Sequence, residues 1–177
     1  AGIMISTNGS NKQPTSTREH KGKSLLEFPD SYVAIDIETT GLDPIYDEII
    51  EIAALKIQNG SETDRFHSLV NPKCEIDEFI ESLTGITNDM LEAAPDLEIV
   101  LPQFLEFVGD NVVVGHNVNF DVNFIYDCAE NLKLKLFTNN FVDTMRISRK
   151  LYADLKHHTL ADLIVTLGVG ETVEHLS

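Results

Sequence analysis

Polar and apolar residues alternate along residues 32–38, Tyr-Val-Ala-Ile-Asp-Ile-Glu, which predicts a strand with Ile35 and Ile37 facing a core and Asp36 and Glu38 on the opposite face. Gly41-Leu-Asp-Pro44 then reads as a turn, residues 48–57 as a second strand, Asn59-Gly60 as a hairpin signal and residues 65–70 as a third strand. Three successive strands joined by tight turns imply an antiparallel meander.

From Asp77 the apolar period lengthens. Phe79, Ile80 and Leu83 suit a short helix, Asn88 is placed to cap another, and residues 96–108 form a longer one with Pro102 near its start. Residues 112–114, Val-Val-Val, make a continuous apolar run of the kind that lies inside a sheet covered on both faces. An amphipathic helix follows over 119–132 with Phe120, Phe124 and Ile125 inward, then a short strand over 140–142 and helices over 144–151 and 159–167. The order predicts an α/β fold, a mixed five-stranded sheet in which the meander is joined by two parallel strands, flanked by helices.

At 177 residues and 42% hydrophobic content, one domain with a substantial core is expected. Residues 1–24 are rich in Ser, Thr, Asn, Gly and Lys and read as a flexible leader, leaving 25–177 as the folded domain. A net charge of -16 argues against a protein that grips long nucleic acid with its whole surface, so any contact with phosphates must be local and assisted by cations. Cys74 and Cys128 lack the spacing of a disulfide framework or zinc site. With no signal peptide and no apolar run of membrane-spanning length, the sequence predicts a cytoplasmic protein without membrane partners.

Asp36 and Glu38 project two anions from one strand end, and their repulsion calls for a cation unless the pair is simply solvated. Mg²⁺ and similar hard ions take carboxylate oxygens and borrow further ligands from water and substrate phosphates, which points to phosphoryl chemistry. Downstream, Val114-Gly-His-Asn-Val-Asn-Phe-Asp121 couples a buried strand to a helix start. Gly115 permits close backbone approach, and Asp121 in the first helical turn is either a third ligand or an acid favoured by the helix dipole.

These motifs together resemble the DEDDh 3′–5′ exonuclease family, particularly the proofreading exonucleases of bacterial DNA polymerase III. Asp36-Ile-Glu-Thr-Thr-Gly-Leu42 is similar to the family's first motif and Gly115-His-Asn-Val-Asn-Phe-Asp121 to its second. Glu48-Ile-Ile-Glu-Ile-Ala53 and Leu83-Thr-Gly-Ile-Thr87 resemble its second strand and the loop beside the terminal base, so the likeness runs from about Ser31 to the C-terminus. It implies a ribonuclease H-like fold and removal of nucleotides from single-stranded DNA 3′ ends by two-metal hydrolysis, with Mg²⁺ or Mn²⁺ held by Asp36, Glu38 and Asp121. It also places Thr39, Thr40, Gly41, Leu42, Ile86 and Asn117 against the substrate and implies a replicative polymerase as partner.

The family's third motif is a His followed five positions later by an Asp. His157 and Asp162 have that spacing, but Leu167-Gly-Val-Gly170 resembles the turn before the family's general base, which favours His175, with His158 then a positioning or packing residue. On that reading the final Asp falls at position 180, past Ser177, and the expectation is a domain truncated at its C-terminus with reduced activity. Two other readings follow from the residues. One is a non-catalytic binding module of the same fold; the other is a phosphatase of the haloacid dehalogenase type with Asp36 as nucleophile, which Glu38 in the second acidic position disfavours. Preference for DNA over RNA has no signature in the residues. Lys133, Lys135, Arg146, Arg149, Lys150 and Lys156 form a basic concentration suited to a substrate strand or to a solvated helical face.

Overall fold

In chain order the computed structural model, which describes residues 17–154 and 156–159, contains β1 (Ser24–Leu25), β2 (Ser31–Thr39), β3 (Ile49–Gln58), β4 (Ser61–Leu69), α1 (Glu78–Thr84), α2 (Asn88–Glu92), α3 (Leu97–Val108), β5 (Val113–Gly115), α4 (Val118–Asn131), β6 (Phe141–Asp143) and α5 (Thr144–Leu151). The strands form one sheet in the order β1-β6-β5-β2-β3-β4. β2, β3 and β4 are the antiparallel meander, and β5, β6 and β1 add to β2 in parallel. Asn59 (φ 50°) and Gly60 (φ 80°) both take the left-handed conformation that a two-residue hairpin loop between β3 and β4 demands.

Alternation along β2 works as the pattern predicts. Val33, Ile35 and Ile37 are buried, and cross-strand pairing sets Ile37 beside Ile52 and Ile35 beside Ala54 on the same face. Onto that face pack α3, against β3 and β4, and α4, against β2 and β6, through Val100, Phe104, Val118, Val122 and Ile125. A smaller cluster under α1 and α2 joins Ile50 to Ile76, Ile80, Ile86 and Leu91. Asp36 and Glu38 therefore sit on the face that these helices leave uncovered.

Several expectations are corrected. The sheet has six strands rather than five because Ser24 and Leu25 pair with Phe141 and Val142; a two-residue strand is too short to leave a period in the sequence. Residues 17–24, within the stretch read as a flexible leader, are bonded to the domain, Arg18 holding Asp127 and Lys23 bonding Asn140. The third strand begins at Ser61, since its exposed residues are paired through the hairpin and need no apolar alternation. Thr87, not Asn88, caps α2, its hydroxyl accepting from the Met90 amide, while the Asn88 side chain bridges both backbone groups of Ile76. On α1 only Ile80 is buried, leaving Phe79 and Leu83 in solvent. The helix expected over 159–167 lies, beyond Thr159, outside the described residues.

Candidate active site

The site begins with a sheet edge that runs out of partners. Val33 donates to the Val112 carbonyl, so the odd-numbered amides of β2 face β5. Pairing between those strands covers only Val33 and Ala34, and β5 ends at Gly115. Farther along β2 the Ile37 amide has no ladder acceptor. The Asp121 carboxylate fills that place, Oδ2 accepting from the Ile37 N–H at 3.1 Å. A Cβ on Gly115 would lie 2.9 Å from the Ile35 carbonyl oxygen and 2.8 Å from Val118 Cγ2, so glycine is what lets β5 turn into α4 this close to β2. Asn117, in the left-handed region (φ 55°), makes the turn, and its amide donates to Asp143 Oδ1 at 2.9 Å.

Burial and mutual repulsion dominate the electrostatics. Asp121 is 6% exposed, and its pKa is pushed up to about 8, first by desolvation and then by the charge of Asp36, with the Ile37 hydrogen bond opposing and Glu38 adding. Glu38, half-buried, is raised by desolvation, Asp36 and Glu51. Asp36 keeps access to solvent, yet the protein around its carboxyl still displaces enough water to raise it, and Glu51 raises it further. Glu51 lies directly across from Glu38 on β3, with His67 Nε2 3.6 Å from its Oε2.

Among the described residues none of Asp36, Glu38 and Asp121 has a basic partner, so protons or an external cation must relieve their repulsion. Also among the described residues, no three His, Cys, Asp or Glu side chains close into a ready-made metal cage. The donor set, hard carboxylate oxygens with one of them buried, suits ions such as Mg²⁺ that fill their remaining positions with water and substrate phosphate.

Beyond Thr39 the chain forms a tightly bonded loop around Asp47. Thr40 Oγ1 donates to Asp47 Oδ1 at 3.2 Å, the Asp43 amide donates to Asp47 Oδ2 at 2.9 Å, and the Glu48 amide donates to Thr40 Oγ1 at 3.0 Å. Thr39 Oγ1 donates to the Gly41 carbonyl at 2.6 Å, and a Cβ on Gly41 would come within 2.5 Å of the Asp47 carboxylate. This frame holds Leu42 and Tyr46 out in water, 83% and 82% exposed.

The remaining expected site residues are placed unevenly. Ile86, 3% exposed, is packed beside Ile50 and Leu91, while exposed apolar side chains of that region include Phe79, Leu83 and Met90. Asn117 is exposed at the start of α4 with no side-chain capping bond. His175 and Asp162 lie outside the described residues. His157 is exposed, and His158 Nδ1 pairs with the buried Ser148 hydroxyl at 2.7 Å. His116 fixes its loop through Thr144 Oγ1 at 3.0 Å. Of the basic residues, Lys135 bonds Asp110 and Arg146 bonds Ser24.

Two acids escaped the sequence reading. Asp143, 6% exposed, ends β6, caps α5 by accepting from the Met145 amide, and steadies Asn117. An Asp directly before a helix was its available signal. Glu51 was legible only as the polar member of the alternating Ile-Ile-Glu-Ile run.

Comparison with known proteins gives this geometry a family. Residues 33–177 match the RNase T exonuclease family. Over 142 residues, 80% of this chain, the sequence is 49% identical to the PolC-type DNA polymerase III of Caldanaerobacter subterraneus subsp. tengcongensis, of which it spans 10%. It is 43% identical over 138 residues, 78% of this chain and 68% of the relative, to the DNA polymerase III epsilon subunit of Aquifex aeolicus. Among solved structures, exonuclease X in complex with 5′-overhanging duplex DNA superposes with a TM-score of 0.62 at 26% identity, covering 77% of this chain and 73% of that one. The E. coli ExoI–ssDNA complex in its zinc-bound form shares the fold, with a TM-score of 0.62 at 18% identity over 71% of this chain and 30% of that one. The sheet is thus the expected ribonuclease H-like one, and kinship with two-metal nucleases implies a divalent-metal requirement. The chain belongs to the RNase T family of exonucleases and is an exonuclease domain related to the PolC-type and epsilon proteins of bacterial DNA polymerase III.

Proposed function

We propose that this exonuclease removes nucleotides from single-stranded DNA 3′ ends in the 3′–5′ direction and proofreads for a replicative polymerase in the cytoplasm. The observation that carries the reading is the Asp121–Ile37 hydrogen bond, which gathers three carboxylates, without basic partners among the described residues, at one sheet edge beside a tightly bonded loop. Among the described residues no helix is long and apolar enough to cross a membrane.

In this reading Asp36, Glu38 and Asp121 hold two Mg²⁺ or Mn²⁺ ions. Ions bound there would make the attacking water more acidic and neutralise the departing 3′ oxygen. The chain's own residues orient and exclude. The exposed Leu42 offers an apolar surface to the terminal base, and Thr39, Thr40 and Gly41 present their backbone in a loop that Asp47 braces through the Thr40 hydroxyl and the Asp43 amide. Asn117 reaches toward the strand from the start of α4, and His175 takes the water's proton. Kinship with the Aquifex aeolicus epsilon subunit and with exonuclease X supports DNA as substrate.

The test is incubation with a labelled oligonucleotide and Mg²⁺ or Mn²⁺, with and without chelator, beside Asp36→Ala. Stepwise shortening from the 3′ end that disappears in both controls is expected. No shortening by the wild-type protein would leave a binding module, and release of phosphate from a monoester without shortening would indicate the phosphatase chemistry.

A further inference from the structure

Residues 18–25 run as a strap across the back of α4. The Arg18 guanidinium makes two hydrogen bonds to Asp127, 2.8 Å to Oδ1 and 2.7 Å to Oδ2. The His20 amide donates to the Tyr126 hydroxyl at 3.4 Å, and the Lys21 ammonium bonds Asn119 while lying 5.3 Å from the centre of the Phe141 ring. The strap then becomes β1: Lys23 donates to Asn140 Oδ1 and accepts from the Phe141 amide, Ser24 pairs with Phe141, and Arg146 of α5 donates to both oxygens of Ser24.

Helical geometry gives this arrangement its direction. At about 100° per residue, Asn119, Tyr126 and Asp127 share one side of α4, and Asp121 points about 180° away from their mean, toward β2. The strap therefore backs the helix on the side opposite the acid it presents. Its main anchor is buried: Asp127 is 3% exposed, and a buried carboxylate left without its arginine is strongly unfavourable. Close approach is also built into the sequence, since a Cβ on Gly22 would lie 2.0 Å from the Asn139 carbonyl oxygen.

We propose that residues 18–25 are a clamp that positions α4, and that Arg18 is a positioning residue for metal binding through Asp121. The kinetic part of this inference rests on the exonuclease reading; the structural part does not. Arg18 touches neither substrate nor ion, and its effect passes through the helix.

The experiment uses the full chain with Gly22→Ala, which lifts the strap without altering charge, Arg18→Lys, which keeps the charge but loses the fork, and the paired Arg18→Gln/Asp127→Asn. Folding is verified by circular dichroism. Three quantities are read: Mn²⁺ binding by electron paramagnetic resonance, the Mn²⁺ concentration for half-maximal hydrolysis set against kcat at saturating Mn²⁺, and hydrogen exchange at the Ile37 amide. Expected is Mn²⁺ binding about tenfold weaker in Gly22→Ala and in the paired variant, the scale on which supporting residues act on metal sites. Arg18→Lys should fall between them and wild type, kcat at saturating Mn²⁺ should stay within about twofold on the same grounds, and Ile37 should exchange faster. Folded variants with β1 released but unchanged Mn²⁺ binding and Ile37 protection would overturn the clamp. A wild-type protein that neither binds Mn²⁺ nor hydrolyses DNA would sink the functional reading instead, and Ile37 exchange alone would then decide whether the strap positions α4.

Discussion

Asp121 accepts a hydrogen bond from the amide of Ile37, 84 residues earlier in the chain, at 3.1 Å. One carboxylate thereby does two things. It completes a sheet edge where β5 has ended, and it brings a buried carboxyl group, costly to ionise, beside Asp36 and Glu38. The electrostatic cost of that placement makes the site testable without substrate.

Stability without metal should fall as pH rises from about 4 toward 8. Asp121 titrates near 8 in the folded chain against an ordinary 3.8, so across that window the folded state keeps a proton that the unfolded state has released. Asp36 and Glu38 are shifted the same way. Asp121→Asn should flatten the dependence and raise Tm at pH 8 by an amount corresponding to about 1–3 kcal/mol, since each pKa unit is worth about 1.4 kcal/mol and relaxation absorbs part of it. Thermal melts in chelator across pH 4–9 would check the sign.

Divalent metal should reverse that ranking. Adding Mn²⁺ at pH 8 should raise the Tm of the wild type and leave Asp121→Asn little changed, because an ion binds only the folded arrangement of acids. Hydrolysis by Asp121→Asn and by Asp36→Ala should drop roughly a hundred- to a thousandfold, the scale on which one preorganised charge-stabilising group acts. A melt series with and without metal, beside a gel assay of oligonucleotide shortening, measures both effects.

Leu42→Ala should separate substrate contact from folding. With the side chain 83% exposed, truncation should change stability by no more than about 0.5 kcal/mol, yet KM for a single-stranded end should rise. An unchanged KM would remove Leu42 from the substrate surface.

Gly41→Ala should harm both. Its new Cβ would strike the Asp47 carboxylate, which bonds Thr40 and the Asp43 amide, at a cost of about 1–3 kcal/mol. Loss of the loop should appear as faster amide exchange at Asp43 and Glu48 together with weaker oligonucleotide binding.

Much of this was legible because it follows from short-range rules. Alternation separated Ile35 and Ile37 from Asp36 and Glu38, Asn59-Gly60 marked the hairpin, and the succession of a three-stranded meander followed by two strands alternating with helices was readable along the chain. The parts that stayed hidden depend on distant pairings. β1 exists only because Phe141 and Val142 offer an edge, and Arg18 looks like one more solvated cation until Asp127 is brought beside it. Ile86 packs against Ile50 and Leu91, neighbours from other segments that no local pattern around residue 86 announces. Asp143 fell between a predicted strand and a predicted helix, where a cap belongs.

The central claim is that Asp36, Glu38 and Asp121 together hold divalent ions, and a crystal soaked in Mn²⁺ tests it most directly. The account predicts anomalous peaks among those three carboxylates, lost in Asp121→Asn. A crystal of hydrolytically active protein with Mn²⁺ bound elsewhere, and nothing at these acids, would contradict it.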